Sequence, residues 1–96
     1  MNFEWDSDKD RVNQRKHKIS FSTAKNVFKD KNIIELPDEE HSRDENRYIA
    51  LGMIKKVVFV SYTIRHSDTI RIISARIATK GEEEFYYAYN GISRFE

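Results

Sequence analysis

The chain has 96 residues, of which 39% are hydrophobic and 34% charged, with a formal net charge of +1 and no cysteine. That length can bury one modest core, so a single domain over residues 1–96 is expected, and the composition is too rich in apolar residues for a disordered chain. Without cysteine there are no disulfides and no thiolate zinc sites.

Met1, Phe3 and Trp5 alternate in "MNFEW" and predict a short strand. "DSD" supplies N-caps for a helix through "DKDRVNQRK", whose only apolar residue is Val12, so this helix should be largely exposed. Ser20 caps a second helix, "FSTAKNVFK", in which Phe21, Ala24, Val27 and Phe28 follow helical spacing and supply a core stripe. The stretch 33–44 holds the only proline and predicts a short strand followed by a loop. Three strands follow at roughly 46–54, 57–65 and 69–78, joined by "KK" and "HSDT". "GEEEFYYAYNG" predicts a last helix, with three glutamates where the dipole favours them and Gly91 as its stop. A strand, two N-terminal helices, an antiparallel meander and a C-terminal helix define an α+β fold.

The last hairpin, "VVFVSYTIRHSDTIRIISARIA", places arginines in a run of β-branched residues, where an unpaired charge would not be buried. A loop centred on Ser67–Asp68 pairs Arg65 with Ile70, Thr63 with Ile72, Ser61 with Ser74, and Phe59 with Arg76. Val58, Val60, Tyr62, Ile64, Ile73, Ala75 and Ile77 then form the core face, with Arg71 at its rim. Phe59, Ser61, Thr63, Arg65, Ile72, Ser74 and Arg76 form the opposite face. A tight "KK" turn adds Tyr48, Ala50 and Gly52 to that opposite side. Arginines among small hydroxyl residues suit phosphate, which a guanidinium grips in two-pronged fashion, and Phe59 and Tyr48 can stack an unpaired base. The same pattern also describes the solvated side of an ordinary antiparallel sheet.

Charge supports a nucleic-acid partner without requiring one. Residues 9–31 carry eight Lys or Arg against two Asp, while acidic residues gather in "DEEHSRDE" and "GEEEF". None of the three histidines has metal-ligand spacing such as HxxxH, so no metal or other cofactor is expected. His17 follows Arg15 and Lys16, cations that favour an uncharged imidazole, and is the candidate acid or base; a capping or packing role is equally open. The acidic, polar N-terminus has no signal-peptide core, and no run approaches the roughly 20 apolar residues of a membrane span. A soluble cytoplasmic domain without membrane contact is therefore expected.

"FEWDSDKDRVNQRKHKISFSTAKNVFKD", "DEEHSRDENRYIALG", "VVFVSYTIR" and "IRIISARIAT", in that order, resemble the BrnT family of bacterial toxins from Phe3 to about Tyr87. In that family the residue after "KH" is often glycine, where this chain has Lys18. The resemblance implies a RelE-like fold, with two N-terminal helices and a final helix packed on an antiparallel sheet. It also implies a metal-independent endoribonuclease that cuts RNA and inhibits translation and growth. The implied partner is a BrnA-type antitoxin with a ribbon-helix-helix DNA-binding part, through which the complex would hold operator DNA.

For RNA cleavage by the 2′-hydroxyl, Arg65 and Arg76 are the candidates for phosphate and transition-state stabilisation, expected to clasp one phosphodiester together. His17 is the acid or base, with Tyr48 in reserve. Lys16 and Arg71 hold flanking phosphates, and Tyr48 and Phe59 take bases. A non-catalytic RNA- or protein-binding module and a corepressor subunit are the alternative readings.

Overall fold

The computed structural model describes residues 1–92. Strand β1 (Asn2–Glu4) leads into helix α1 (Ser7–His17), then helix α2 (Phe21–Ala24), which tightens into a 3-10 turn at Lys25–Lys29. Strand β2 (Ile34–Pro37), a 3-10 turn at Glu39–His41, strands β3 (Arg47–Met53), β4 (Val57–Arg65) and β5 (Thr69–Ile77), and helix α3 (Lys80–Asn90) complete the order. The helix ends follow the sequence signals. Asp6 accepts from the N–H groups of Asp8 and Lys9, Ser20 from that of Thr23, and Thr79 forms a capping box with Glu82. Gly91 closes α3 in the left-handed conformation. Lys18 takes the same conformation after α1 (φ 61°), a position glycine reaches with less strain.

The five strands form one sheet in the order β1-β5-β4-β3-β2. The expected antiparallel sheet is in fact mixed, because β1 runs parallel to β5, with Asn2 opposite Thr69 and Glu4 opposite Arg71. The chain enters along the edge of β5, and α1 continues beside that edge beyond Arg71. There the Asn13 side chain donates to the Ala75 carbonyl (2.9 Å) and accepts the Ala75 N–H (3.2 Å), as a neighbouring strand would. A second donation, to the Ile19 carbonyl at 2.9 Å, fixes the turn after α1 and satisfies this buried amide.

Two expected registers change. In the β4–β5 hairpin, Arg65 pairs with Thr69 and Thr63 with Arg71, so the loop holds three residues, His66–Asp68. A bulge opposite Ser61/Tyr62 absorbs the slip, and Ser61–Ser74 and Phe59–Arg76 pair as predicted. Between loop and bulge the faces exchange: Ile70 and Ile72 enter the core, and Arg71, expected on the core side, joins the opposite face. At the β3–β4 turn Met53 pairs with Val57, leaving Ile54–Lys56 as the loop, with Lys55 at φ 127°. This shifts β3 by one residue. Tyr48, Ala50 and Gly52 therefore face the N-terminal helices instead of the arginines, and Tyr48 stacks on Tyr62 with ring centroids 5.6 Å apart.

The main core lies between that face and the segment 19–28, where Phe21, Ala24 and Val27 pack against Val58, Val60, Tyr62, Ile72 and Ala75. Gly52 permits the contact: an added Cβ would lie 2.6 Å from Val27 Cβ and 2.9 Å from its carbonyl oxygen. On the other face α3 covers one end of the sheet, with Tyr86 packed on Ile34, Leu51 and Val57. Asp30 ties the two sides together. Its carboxylate accepts from the Asn32 N–H (2.9 Å), the Met53 N–H (2.7 Å) and the Tyr86 hydroxyl (2.5 Å). Burial opposes its ionisation, but the bonds from Tyr86, Asn32 and Met53 and the charge of Lys31 outweigh it, so its pKa lies below the ordinary aspartate value.

Gly52→Ala should cost about 1–3 kcal/mol in urea unfolding, since the backbone of residue 27 has to move. Asp30 binds its proton less readily folded than unfolded. Its contribution is thus complete above the unfolded value of about 3.9 and lost as pH falls through the lower folded value. Tyr86→Phe should lower stability at neutral pH by about 1–2 kcal/mol and shrink the acid-induced loss below pH ~4. Denaturant titrations across pH 2–7 (about that range) measure both effects.

Candidate RNA-binding face

α3 covers part of the apolar surface on the face opposite the main core, leaving Leu36 exposed at the β2 edge. Beyond α3 it presents Ser61, Ser74 and the arginines. Arg65 and Arg76 are on this same side, because each pairs within a ladder whose alternate residues point there. They are not together. Arg76 stands opposite Phe59, six residues along β4 from Arg65, which is about 20 Å. The expectation that both clasp one phosphodiester is therefore corrected: they mark two ends of the face.

At the α3 end, the Arg76 guanidinium lies over the Phe59 ring, with Cζ 4.0 Å from the centroid. Its Nη1 and Nη2 donate to the two carboxylate oxygens of Glu82 at 2.8 and 3.0 Å. This bidentate bond raises Arg76 above the ordinary arginine value despite burial, and it holds Glu82 below the ordinary glutamate value. A guanidinium has five N–H donors; with Nη1 also meeting the Ile77 carbonyl at 3.4 Å, Nε and the outer hydrogen of Nη2 remain for a second anion.

Lys16 and His17 come to this end through α1. With Lys9, Val12 and Asn13 they line a groove of about 330 Å³ against Ile73 and Ser74. His17 is one helical turn beyond Asn13, whose side chain is bonded to Ala75, the neighbour of Arg76. Ser74 and Arg76 are successive residues on one face of β5. Lys16 and His17 therefore line a groove that reaches Ser74, two residues along β5 from Arg76, while Arg15 is on another side of α1 with Arg11 and Gln14.

The hairpin end holds Arg65 and Arg71. Arg65 Nη2 donates to Glu45 at 3.0 Å and Arg71 Nη1 to Glu4 at 2.9 Å. Arg47 lies opposite Thr63, which in turn lies opposite Arg71, so three arginines from three strands share this end. Among the described residues Arg47 has no ion-pair partner. Acidic residues are as prominent here: an open cleft of about 350 Å³ beside Arg47 is lined by Glu40, His41, Asp44 and Glu45 as well as Arg43. Tyr48 is on the other side of the sheet.

Sequence reasoning missed Glu82 and Arg47. Glu82 was visible only as a first-turn helix acid, and its "T..E" capping box with Thr79 is the signal that fixes its position. Arg47 was hidden by the one-residue shift of β3. Among the described residues no three His, Asp or Glu side chains converge as a metal-binding group, and no helix is long and apolar enough to cross a membrane.

The architecture, an α+β unit with three helices and a five-stranded mixed sheet, is similar to the crystal structure of the Brucella abortus ribonuclease toxin BrnT. The TM-score is 0.65 at 21% identity, over 83% of this chain and 99% of that one. The family model for the ribonuclease toxin BrnT of type II toxin–antitoxin systems matches residues 5–82. This chain belongs to that family. No curated protein matches it by sequence.

Proposed function

We propose that this toxin is an endoribonuclease that needs no metal and that cuts RNA at the α3 end of the open face. The observation that carries the reading is Arg76 stacked on Phe59, with Lys16 and His17 lining the groove that reaches Ser74, two residues along β5. The substrate phosphate is bound by the free edge of Arg76 and by Lys16, and Phe59 and the groove take an adjoining base. His17 removes the proton from the 2′-hydroxyl. The 2′-oxygen bonds to phosphorus, the bond from phosphorus to the 5′-oxygen breaks, and the departing oxygen takes a proton from water while His17 returns its own to solvent. The products are a 2′,3′-cyclic phosphate and a 5′-hydroxyl. Arg76 acts on the charge that develops on the phosphorane, where a fixed cation contributes most. Arg71, about 13 Å away, and Arg65, about 20 Å away, hold a more distant part of the strand.

The family description supplies the setting, a type II system in which a toxin is held by an antitoxin. A BrnA-type antitoxin with a ribbon-helix-helix part, repression of the operator by the complex, and arrest of translation and growth by RNA cleavage complete the proposal. Two N-terminal helical segments and a closing helix around the sheet support a RelE-like kinship.

Purified toxin should cleave single-stranded RNA equally well with magnesium and with EDTA. Arg76→Ala should stay folded and lose about 100-fold or more in rate, whereas Arg65→Ala loses less and mainly in KM. His17→Gln should stay folded and lower kcat about 100-fold, with KM changed little. Full cleavage by Arg76→Ala, or cleavage that stops in EDTA, contradicts the assignment.

A further inference from the structure

We propose that Glu82 is a positioning residue for RNA cleavage, one that aims Arg76 at the scissile phosphate; the inference rests on the ribonuclease reading above. Three contacts fix the guanidinium. Phe59 supports its plane from below at 4.0 Å, and Glu82 takes both terminal nitrogens at 2.8 and 3.0 Å. Nη1 also lies 3.4 Å from the Ile77 carbonyl.

Glu82 is itself held. Its Oε1 accepts the Thr79 N–H at 2.8 Å, and its own N–H donates to the Thr79 hydroxyl at 3.2 Å. The carboxylate therefore has no freedom to follow the arginine. It belongs to the first turn of α3, and α3 is anchored to the sheet through Tyr86 and Asp30.

A planar guanidinium offers two bidentate edges, one through both terminal nitrogens and one through Nε and a terminal nitrogen. Glu82 occupies the first, so an incoming phosphate meets the second in a single orientation. Without Glu82, Arg76 would still be a cation above Phe59, but its side chain would have to be ordered during the reaction. Pre-organisation of a charged group against the transition state is the effect at stake, and a misplacement of about 1 Å can cost about 100-fold. Nothing in this geometry requires the ion pair to open for RNA to bind.

The helix cap is a separate duty of the same residue, so the test has to divide the two. Glutamine keeps an oxygen for the Thr79 N–H but cannot grip two guanidinium nitrogens. Full-length wild type, Glu82→Gln, Arg76→Ala and the double variant are compared on one single-stranded RNA oligonucleotide, with thermal unfolding measured for each. Glu82→Gln is expected to lower kcat about 10-fold or more with KM within about threefold, and to add nothing once Arg76 is alanine. An equal loss in the Arg76→Ala background would mean that Glu82 acts only through the helix, and would overturn the inference. Unchanged kcat would overturn it too, as would tighter RNA binding with faster cleavage, which would make Glu82 a competitor of the phosphate. If wild type cuts no RNA, the ribonuclease reading fails and carries this inference with it; an active wild type with an additive cycle sinks the inference alone.

Discussion

The side chain of Asn13 decides how the molecule is assembled around its open face. Strand β1 covers only the first three residues of the β5 edge, and the rest would be left as unpaired backbone. Asn13 completes part of it, giving a donor and an acceptor to Ala75 and a second donor to Ile19. One amide thus satisfies groups on a strand, a turn and itself, all out of water, which is the condition under which a buried polar group stabilises. Because α1 carries a single, half-exposed apolar residue, Val12, hydrophobic burial does little to hold it there. Its basic last turn reaches the sheet through this polar attachment.

The second constraint is the bulge in β5. A three-residue hairpin loop would, if the ladder stayed regular, turn every side chain beyond it to the other face. The bulge gives back one residue, so Phe59 and Arg76 still oppose each other while Arg71 crosses to join them. All three of Arg65, Arg71 and Arg76 consequently share a face, yet the length of β4 keeps the first and last apart. The three guanidinium groups are therefore spread along one surface rather than gathered at a single point.

Each of these three cations is matched by a carboxylate from another element: Glu45 from the loop before β3, Glu4 from β1, and Glu82 from α3. Arg47 apart, the open face therefore carries little excess charge, and most of the positive balance comes from α1 and the segment that follows it. The pairs order long side chains that would otherwise be mobile, at sites too exposed for large gains in stability. Where the pair is bidentate and stacked on an aromatic ring, as at Arg76, the order is greatest. The same helix that brings Glu82 is joined through Tyr86 to Asp30, so Arg76 and the main core share one frame.

Much of this was legible in the residues. Capping side chains at Asp6 and Ser20, the stripe Phe21–Ala24–Val27, and the stop at Gly91 act over three or four residues, and local chemistry alone sets them. The motif order was sufficient to indicate the family, and the ladder from Phe59 to Ser61 was paired with Arg76 to Ser74 as the apolar pattern required. Other features depended on contacts distant in sequence. A parallel β1 against β5, the loop of three with its compensating bulge, and the shifted β3 that buries Tyr48 each balance turn strain against packing elsewhere. The arginine partners depended on them in turn, since Glu4, Glu45 and Glu82 are respectively 67, 20 and 6 residues from the cations they meet. Spacing within a strand determines which residues alternate; only packing between strands and helices decides which of the two faces they take.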